Sequence, residues 1–396
     1  MLNHRLIDPP REPEKFIETA IQFLQKFASN RKVFCALSGG IDSSATYLLL
    51  KKANINTIPV FIDHGLMRII RGQEEREHIK KLFPDVMIID IRKKFLPQIL
   101  GVGDAEEKRK LFKAAYSDTI SKVIKKENCD LLADGTILPD IEESFGVKIN
   151  DLKETMSLEE ERTLLEKNIK GFVKSQHNLD IEYDVEATIQ PVASLTKNEV
   201  RKVLEYLGMP QELVYRKAFP GPALSARIVG PVSLDNLAFE KRVHDIVESR
   251  IEDFYVEKYG KPMIINDKGE QEPFQVFAAI SSEDILTREV TGLVNGKRTY
   301  MAPLCEKGEW DFEKLTTKAS QLTDYARIFY ELGGNKDGKY DIVIRSINSI
   351  DARTASVTNL PFELFNKLKE KLLEIPETRN IYIDVTSKPP ATIEYV

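Results

Sequence analysis

The chain has 396 residues, of which 42% are hydrophobic and 30% charged, and its formal net charge is −5. At roughly 100–200 residues per domain, this length predicts two or three domains with a sizeable core. The mildly acidic balance excludes a global basic field for nucleic-acid binding, and three widely spaced cysteines exclude a disulfide framework or a zinc spacing.

Nothing in the sequence predicts a membrane partner. The N-terminal segment lacks the apolar run of a signal peptide, and no stretch approaches the roughly 18 uninterrupted apolar residues of a membrane span. The sparse cysteines favour a reducing compartment. We therefore expect a cytoplasmic protein.

Helical and strand patterns alternate through the first part of the chain. Apolar residues at helical spacing predict a first helix over 14–29. The elements predicted after it are strands at 32–37, 57–63, 86–91 and 130–136 and helices at 42–53 and 105–126. Strands that alternate with helices indicate crossover units and a parallel sheet covered on both faces.

The alternation breaks at residues 147–180, which are charged and contain the run EEER. We interpret this stretch as a solvent-facing helical insertion or a mobile lid. A helix at 196–208 follows, and the Pro/Gly-rich joint at 218–230 marks a domain boundary. The predicted domains are 1–218 and 219–396.

The second domain is predicted to be α+β. Its expected helices cover 233–258 and 361–374, and its expected strands lie near 274–281, 341–347 and 380–386. Polar stretches near 260–273 and 301–340 are interpreted as insertions.

One segment carries chemistry by itself: residues 38–44 read S-G-G-I-D-S-S and lie where a strand ends and a helix begins. Glycine lets the backbone approach a phosphate closely, and a helix N-terminus directs free N–H groups and its dipole at an anion. The residues predicted to bind the phosphates are Ser38, Gly39, Gly40, Ile41, Asp42, Ser43 and Ser44. Asp42 can also hold Mg²⁺, which prefers carboxylate and phosphate oxygens.

The alternative for this segment is an ordinary helix N-cap, because Ser and Asp cap helices routinely. The full string between an apolar strand and a helix favours the phosphate loop. It is neither a Walker A loop, whose lysine is missing, nor the dinucleotide fingerprint.

The S-G-G-I-D-S-S segment resembles the pyrophosphate loop of the N-type ATP pyrophosphatases. Other segments resemble those of GMP synthase in the same order along the chain: FIDHGLMR (61–68), GDAEEKRK (103–110), ADGTILPDIEES (133–144), KSQHNL (174–179), LTKNEVRKV (195–203), FPGPALSARIVG (219–230), SIDARTASVTNLPFELF (349–365) and DVTSKPPATIEYV (384–396). The resemblance therefore covers nearly the whole chain and is closest to the synthetase part of GMP synthase.

This resemblance implies a parallel-sheet ATP pyrophosphatase domain of the adenine-nucleotide alpha-hydrolase type, followed by a smaller α+β dimerisation domain. The implied reaction converts xanthosine 5′-phosphate (xanthylate) to GMP through an adenylated intermediate, with ATP and Mg²⁺. Ammonia comes from solution or from a separate glutamine amidotransferase subunit. A homodimer is also implied.

The resemblance assigns residues to each role. Asp42, Lys197 and Asp140 would act in catalysis, with Asp42 and Asp140 near the metal. Asp63, Leu66 and Gly135 would join the loop in binding ATP. The residues that would bind xanthylate are Arg109, Pro220, Gly221, Pro222, Lys388, Thr392, Ile393 and Glu394. Without the motifs, the lysines would be taken for solvated surface residues and the three joint residues for a rigid hinge.

The sequence departs from the family pattern at Gln176, Asn295, Asn380 and Val396. Several of these positions concern lid closure or substrate binding, so two alternatives stay open. One is a diverged paralogue that adenylates a different nucleotide or small substrate. The other is a tRNA thiolation enzyme, which would need a reactive cysteine.

Overall fold

The computed structural model describes residues 1–145, 148–168, 183–260, 275–294, 297–335, 337–349 and 354–395. Gln176, Asn295, Val396 and the KSQHNL segment lie outside these ranges. The chain forms two compact units. The first unit comprises Met1–Ile62, Ile79–Asp90 and Ala114–Arg216, and the second comprises Asp63–His78, Ile91–Lys113 and Lys217–Val396.

The helices and strands up to residue 216 follow the alternating pattern. In chain order they are β1 (Leu2–Arg5), α1 (Pro13–Ala28), β2 (Val33–Ala36), α2 (Ile41–Lys52), β3 (Thr57–Asp63), β4 (Ile69–Ile70), β5 (Gln73–Glu74), α3 (Glu75–Leu82), β6 (Met87–Asp90), α4 (Arg92–Ile99), α5 (Ala105–Glu127), β7 (Leu131–Ala133), α6 (Leu138–Phe145), β8 (Thr155–Ser157), α7 (Leu158–Asn168), β9 (Ala187–Gln190), α8 (Lys197–Tyr206) and α9 (Gln211–Val214).

A seven-stranded sheet forms the centre of the first unit, in the order β6-β3-β2-β7-β9-β1-β8. Neighbours from β3 to β1 run parallel, and β8 is an antiparallel edge strand. Helices α1, α2 and α8 pack against one another. The predicted parallel α/β fold is confirmed, while β1 and β9 are strands that the sequence analysis missed.

Residues 148–168 differ from the solvent-facing helix that was predicted there. The strand β8 joins the sheet by pairing with β1, and Glu161 of the EEER run is fully buried. Its carboxylate accepts a hydrogen bond of 2.7 Å from the Asn3 side chain and forms an ion pair with Arg5. A buried charge needs such partners, so this part of α7 is fixed to the sheet rather than solvated.

The remaining elements belong to the second unit. They are β10 (Ile228–Val229), α10 (Leu234–Tyr259), β11 (Gln275–Ser281), β12 (Val290–Val294), β13 (Lys297–Met301), β14 (Leu304–Glu306), α11 (Phe312–Ser320), β15 (Ile328–Gly334), β16 (Tyr340–Asn348), β17 (Ser356–Val357), α12 (Phe362–Leu373) and β18 (Thr378–Asp384).

The second unit is built on a mixed sheet in the order β10-β11-β16-β18-β15-β14, and β17 pairs with β16. Helices α10 and α12 pack against each other, α10 on β11 and α12 on β15 and β18. The α+β prediction is thus confirmed. Residues of the stretch 301–340, interpreted as an insertion, supply β14 and β15 to this sheet.

The last residues of the chain are tied to this sheet by a buried ionic cluster. The fully buried Asp384 pairs with Arg327 at 2.8 Å and with Arg345 at 2.7 Å, and it accepts a 2.7 Å hydrogen bond from the Tyr395 hydroxyl. The two guanidinium groups also donate to the carbonyl oxygens of residues 392–394. We call residues 388–395 the tail.

Within the ranges described, no helix is both long and apolar enough to cross a bilayer.

The buried cluster predicts a large stability effect. Asp384→Asn should lower the free energy of unfolding by about 3–5 kcal/mol, because two buried guanidinium groups lose their counter-ion. Denaturant titration measures this loss. Asp235→Asn is the control, since that side chain is 82% exposed, and its midpoint should stay almost unchanged. Equal midpoints for both variants would contradict the role of the cluster.

The same cluster fixes the direction of a pH effect. Burial by itself would raise the pKa of Asp384, but Arg345 and Arg327 outweigh burial and lower it. The ionised Asp384 therefore contributes its full stabilisation at any pH above its unfolded-state pKa of about 3.9. This stabilisation is lost only in stronger acid, as the pH falls through the lower pKa that Asp384 has in the folded protein.

Candidate active site

The Ser38–Ser44 loop joins β2 to α2 at the carboxyl end of the parallel sheet. Gly39 has a φ of 85°, the left-handed region that glycine enters without steric cost. Gly40 then precedes the first residue of α2 with extended backbone and without a side-chain cap. The first N–H groups of a helix have no intrahelical acceptor, so this helix end is suited to hold an anion.

The three serines stabilise the loop from inside. The Ser43 and Ser44 hydroxyls donate to the Gly40 carbonyl oxygen at 3.1 and 2.8 Å. Ser38 Oγ lies 3.1 Å from Ser43 Oγ. Ser44 is fully buried and Ser38 exposed, so Ser44 holds the loop shape while Ser38 is accessible to a ligand.

Asp42, in the first turn of α2, faces two cations from α8. Its Oδ2 accepts a hydrogen bond of 2.5 Å from Lys197 Nζ, which brings together two residues that were predicted to be catalytic. Arg201 follows one turn later on α8. Burial lowers the pKa of Arg201, and the negative charge of Asp42 is the strongest influence in the opposite direction. Arg201 was missed by the sequence analysis, although it is four residues after Lys197 and therefore on the same helix face.

The other Asp42 oxygen, Oδ1, is buried and has no hydrogen-bond partner among the described residues. An orphaned carboxylate oxygen beside a phosphate loop fits Mg²⁺, which typically binds through one or two carboxylates and substrate phosphates. No group of three or more potential ligands occurs within the described ranges.

Gly135 lies directly against the start of α2. A Cβ atom at this position would come within 2.7 Å of the Ser43 amide nitrogen and 2.8 Å of the Asp42 carbonyl carbon. Because only glycine fits, the turn after β7 packs on the phosphate loop backbone to backbone. The nearby Asp134 accepts hydrogen bonds from Thr136 N and the Gln190 side chain, at 2.9 and 3.2 Å, which fixes this turn.

Asp140, predicted to lie near the metal, is part of helix α6. One of its carboxylate oxygens accepts a hydrogen bond of 3.1 Å from the Ile137 amide. This contact stabilises the first turn of the helix. A metal-binding role for Asp140 stays a prediction.

Asp63 and Leu66 belong to the second unit. Asp63 is buried, accepts a 3.0 Å hydrogen bond from Gly65 N, and lies 3.4 Å from Arg76 and 3.5 Å from Arg92. Leu66 is buried, and its N–H donates to the ring of His64 at 3.2 Å. Burial, and then Lys241, lower the pKa of His64 to about 3, so its ring is neutral at physiological pH.

Arg109 lies in a basic group on the second unit. It pairs with Glu106 at 2.6 Å, and Arg298 of β13 contacts the same carboxylate. Burial and the charge of Arg298 lower the pKa of Arg109. Two guanidinium groups thus contact one carboxylate, and guanidinium groups are suited to bind a phosphate. Arg298 was not assigned a role from the sequence.

The joint residues Pro220 and Pro222 are half-buried and Gly221 is exposed. No atom of the described residues lies within 4 Å of the position that a Cβ atom on Gly221 would take. The next residue, Ala223, has a φ of 54° and is buried. The N–H of Ala223 donates to the Pro220 carbonyl oxygen at 2.9 Å, which closes a turn. The joint is therefore an ordered turn with one open face.

The tail residues predicted to bind substrate differ in how many of their polar groups already form hydrogen bonds within the protein. Lys388 is buried and exchanges two backbone hydrogen bonds with Ala355, of 2.7 and 3.0 Å. The Thr392 hydroxyl is held by Arg327 at 2.8 Å, and the Ile393 carbonyl oxygen accepts from Arg345 at 3.0 Å. Glu394 Oε2 accepts from Arg227 at 3.4 Å, whereas its Oε1 is buried without a partner in the described structure.

One departure from the family pattern is placed by the structure. Asn380 donates to the buried Asp341 at 3.1 Å, and Arg379 forms an ion pair with the same carboxylate at 2.8 Å. Both residues therefore stabilise the start of β18.

A parallel sheet with an open helix N-terminus, a glycine loop and a carboxylate on a lysine is an arrangement suited to nucleotide phosphates in an α/β enzyme. Residues 331–395 match the family model described as GMP synthase C terminal domain. The chain is 29% identical to the B subunit of the glutamine-hydrolyzing GMP synthase of Saccharolobus solfataricus, over 97% of this chain and 99% of that protein. The protein of the same name from Methanopyrus kandleri is also 29% identical, with the same coverage of both chains.

The chain is thus similar to GMP synthase B subunits along nearly its whole length, and the resemblance predicted from its motifs is confirmed. Among solved structures, the NMN synthetase of Francisella tularensis matches with a TM-score of 0.35 and 15% identity, covering 65% of this chain and 89% of that one.

The Asp42–Lys197 pair gives a direct test of the site. Asp42→Asn should lower pyrophosphate release about 100-fold or more, the scale at which loss of one electrostatic contact affects turnover, while the protein stays folded. Initial rates of pyrophosphate formation with xanthylate, ATP, Mg²⁺ and ammonium measure turnover, and circular dichroism measures folding. Asp118→Asn, which removes an exposed pair with Lys122, is the matched control. Turnover near wild type in Asp42→Asn would contradict the role of this carboxylate.

Proposed function

We propose that this chain catalyses the ATP-dependent amidation of xanthylate to GMP, with release of AMP and pyrophosphate. The carrying observation is the Ser38–Ser44 loop, with Asp42 held on Lys197 by one oxygen, in a chain similar to GMP synthase B subunits over 97% of its length. The site offers N–H groups, cations and a carboxylate, which are the groups that phosphate transfer needs.

The first step joins the two substrates. The C2 oxygen of xanthylate attacks the α-phosphorus of ATP, the bond to the β-phosphate oxygen breaks, and pyrophosphate leaves. The free N–H groups at the start of α2, with Lys197 and Arg201, stabilise the charge that develops on this leaving group. Mg²⁺, when bound, would neutralise phosphate charge, and Asp42 Oδ1 is the protein atom best suited to hold it. Asp140 is proposed as a second carboxylate near the phosphates.

The second step replaces AMP by nitrogen. Ammonia attacks C2 of the adenylated base, AMP departs with the former C2 oxygen, and a proton is lost, which leaves the 2-amino group. No described residue is required to form a covalent bond.

Recognition of xanthylate is assigned to the second unit. Arg109 and Arg298 share the Glu106 carboxylate and supply positive charge for the 5′-phosphate, and Lys388 adds a point charge. Glu394 Oε1 is the unsatisfied acceptor for a ring N–H. Pro220, Gly221 and Pro222 would form a wall beside the base.

The cysteines do not support the sulfur-transfer alternative. Burial raises the pKa of Cys35 to about 12 and that of Cys305 to about 11, and it also raises the pKa of Cys129. A sulfur carrier needs a thiolate near neutral pH. No contact among the described residues favours the alternative of a paralogue that acts on another nucleotide.

The nitrogen source and the assembly are also proposals. The relatives are named as B subunits of a glutamine-hydrolyzing enzyme, which supports a separate glutamine amidotransferase that would deliver ammonia. We further propose a homodimer through residues 341–396. The three cysteines are free, which supports a reducing, cytoplasmic location.

One assay tests the reaction and the nitrogen source together. The 396-residue chain, purified alone with xanthylate, ATP and Mg²⁺, should form GMP, AMP and pyrophosphate in equal amounts when ammonium is added. Glutamine in place of ammonium should give no GMP. Chromatography of the nucleotides measures all the products. Absence of GMP with saturating ammonium would overturn the proposed reaction, and GMP from glutamine would overturn the proposal of a separate glutaminase.

The assignment of Lys388 predicts a selective loss of affinity. Lys388→Ala should weaken xanthylate binding by about 1.5–3 kcal/mol, the scale of a hydrogen bond to a charged group, and leave ATP binding unchanged. Isothermal titration calorimetry with each nucleotide measures both. Lys367→Ala, a side chain 56% exposed and paired with Glu363, is the control and should bind like wild type. A parallel loss of ATP affinity would argue against a specific phosphate contact.

A further inference from the structure

Glu394 is a carboxylate with one oxygen engaged and the other unsatisfied. Its Oε2 accepts a hydrogen bond of 3.4 Å from Arg227 Nε, and its side chain is 15% exposed. Its Oε1 is buried, and no hydrogen-bond partner for it lies within the described part of the chain. An ionised carboxylate acts as acceptor only, so the group that completes this site must be a donor.

Arg227, the arginine of the joint, has little freedom to move. Its side chain is 1% exposed, and its guanidinium carbon lies 4.1 Å from the centre of the Phe277 ring and 4.8 Å from that of Phe219. Its Nη1 lies 3.3 Å from the His244 ring. Two aromatic faces and a ring nitrogen therefore fix the direction in which this guanidinium donates.

The surrounding groups leave Glu394 as the counter-ion of Arg227. Burial lowers the pKa of His244 to about 4, so its ring is neutral at physiological pH. Glu248 is held by Arg68 through two hydrogen bonds of 2.8 and 2.9 Å.

Glu240, which also faces Arg227, is fully buried, and neither of its oxygens has a partner among the described residues. Burial raises the pKa of Glu240 well above its usual value, which disfavours its charged form.

We propose that Arg227 is a positioning residue for nucleotide recognition, which holds one oxygen of Glu394 so that the other accepts a ring N–H of the bound base. This inference rests on the proposed function. It adds that the joint acts on specificity through the tail, without contacting the substrate itself.

The arrangement explains how the site discriminates between bases. A buried acceptor that is left unpaired destabilises the complex, so a base without an N–H at this position is rejected more strongly than an apolar pocket could achieve. That discrimination requires Glu394 to stay in one orientation. The ion pair with Arg227 supplies this orientation, because the backbone of the tail fixes Cα but not the carboxylate.

The test compares Arg227→Met, Arg227→Lys and Glu394→Gln in the ammonia-dependent assay. Arg227→Met should raise the KM for xanthylate by about 10-fold or more, as expected for loss of an oriented charged acceptor. The KM for ATP and kcat at saturating xanthylate should stay within about twofold of wild type, since the chemical step does not use this contact. Arg227→Lys should restore part of the affinity.

A double variant separates positioning from general damage. Arg227→Met combined with Glu394→Gln should be no worse than Glu394→Gln alone, because both changes act through one contact. Glu240→Gln is the matched control: it changes another buried carboxyl side chain of the same cluster and leaves the Arg227–Glu394 contact in place, so the KM for xanthylate should stay within about twofold. If Arg227→Met fails to fold, the test uses Arg227→Lys instead, alone and combined with Glu394→Gln.

Three results would overturn the inference. The first is an unchanged KM for xanthylate in the Arg227 variants, and the second is an additive rise of that KM in the double variant. The third is a rise of the KM for xanthylate in Glu240→Gln as large as that in Arg227→Met. If wild type forms GMP and one of these results is found, only the positioning role is lost. If wild type forms no GMP from xanthylate, the proposed function and this inference are both lost.

Discussion

Two arginines meet on the single carboxylate of Asp384 inside the second unit, and the rest of that unit is arranged around this contact. Both Arg327 and Arg345 are fully buried, so each needs a complete set of acceptors. The carbonyl oxygens of residues 392–394 supply four of these contacts. A segment that would otherwise be a loose chain end thereby becomes part of the core, and its side chains have fixed positions from which to recognise a ligand.

The same physical motif recurs in the two units. In each, a carboxylate is held by a cation through one oxygen, and its other oxygen is buried without a partner among the described residues. The two pairs are Asp42 on Lys197 and Glu394 on Arg227. Such a group is costly in the free protein and favourable once a cation or N–H donor arrives. Part of the binding free energy is thus prepared by the fold, which is how preorganised sites achieve selectivity.

The sequence predicted most of the long helices and several strands of both sheets, because apolar periodicity and turn residues are local signals, but it missed the seven-residue strand β15. The S-G-G-I-D-S-S segment could be recognised for the same reason, because residues 38–44 are contiguous and lie at the junction of β2 and α2. Phosphate binding by this loop stays a prediction. β1 and β9 were missed since each has four residues and gains its stability from neighbours far away in the chain. The burial of Glu161 depends on Arg5 and Asn3, which lie 156 and 158 positions away, so its local composition indicated solvent.

The candidate site shows the same division. Asp42 and Lys197 were found through motifs, but their contact spans 155 positions and follows only from the fold. Arg201, Arg298 and Arg227 received no role, because a single arginine in a helix, a hairpin or a joint is ordinary in sequence. Arg345 lies within the apolar run of β16, where an unpaired charge would be excluded. An arginine at that position indicates a buried counter-ion, although the sequence alone did not identify Asp384 as that counter-ion.

The turn at Ala223 has a consequence for how the joint behaves along a folding trajectory. An L-residue in the left-handed region lies about 1–2 kcal/mol above its preferred conformation, so the isolated segment spends little time in the shape that it has here. The buried surroundings of Ala223 must impose this shape, and the joint can form only after its neighbours have packed. The segment that carries Pro220 and Arg227 should accordingly be among the later parts of the second unit to become ordered, and among the first to loosen when the packing weakens.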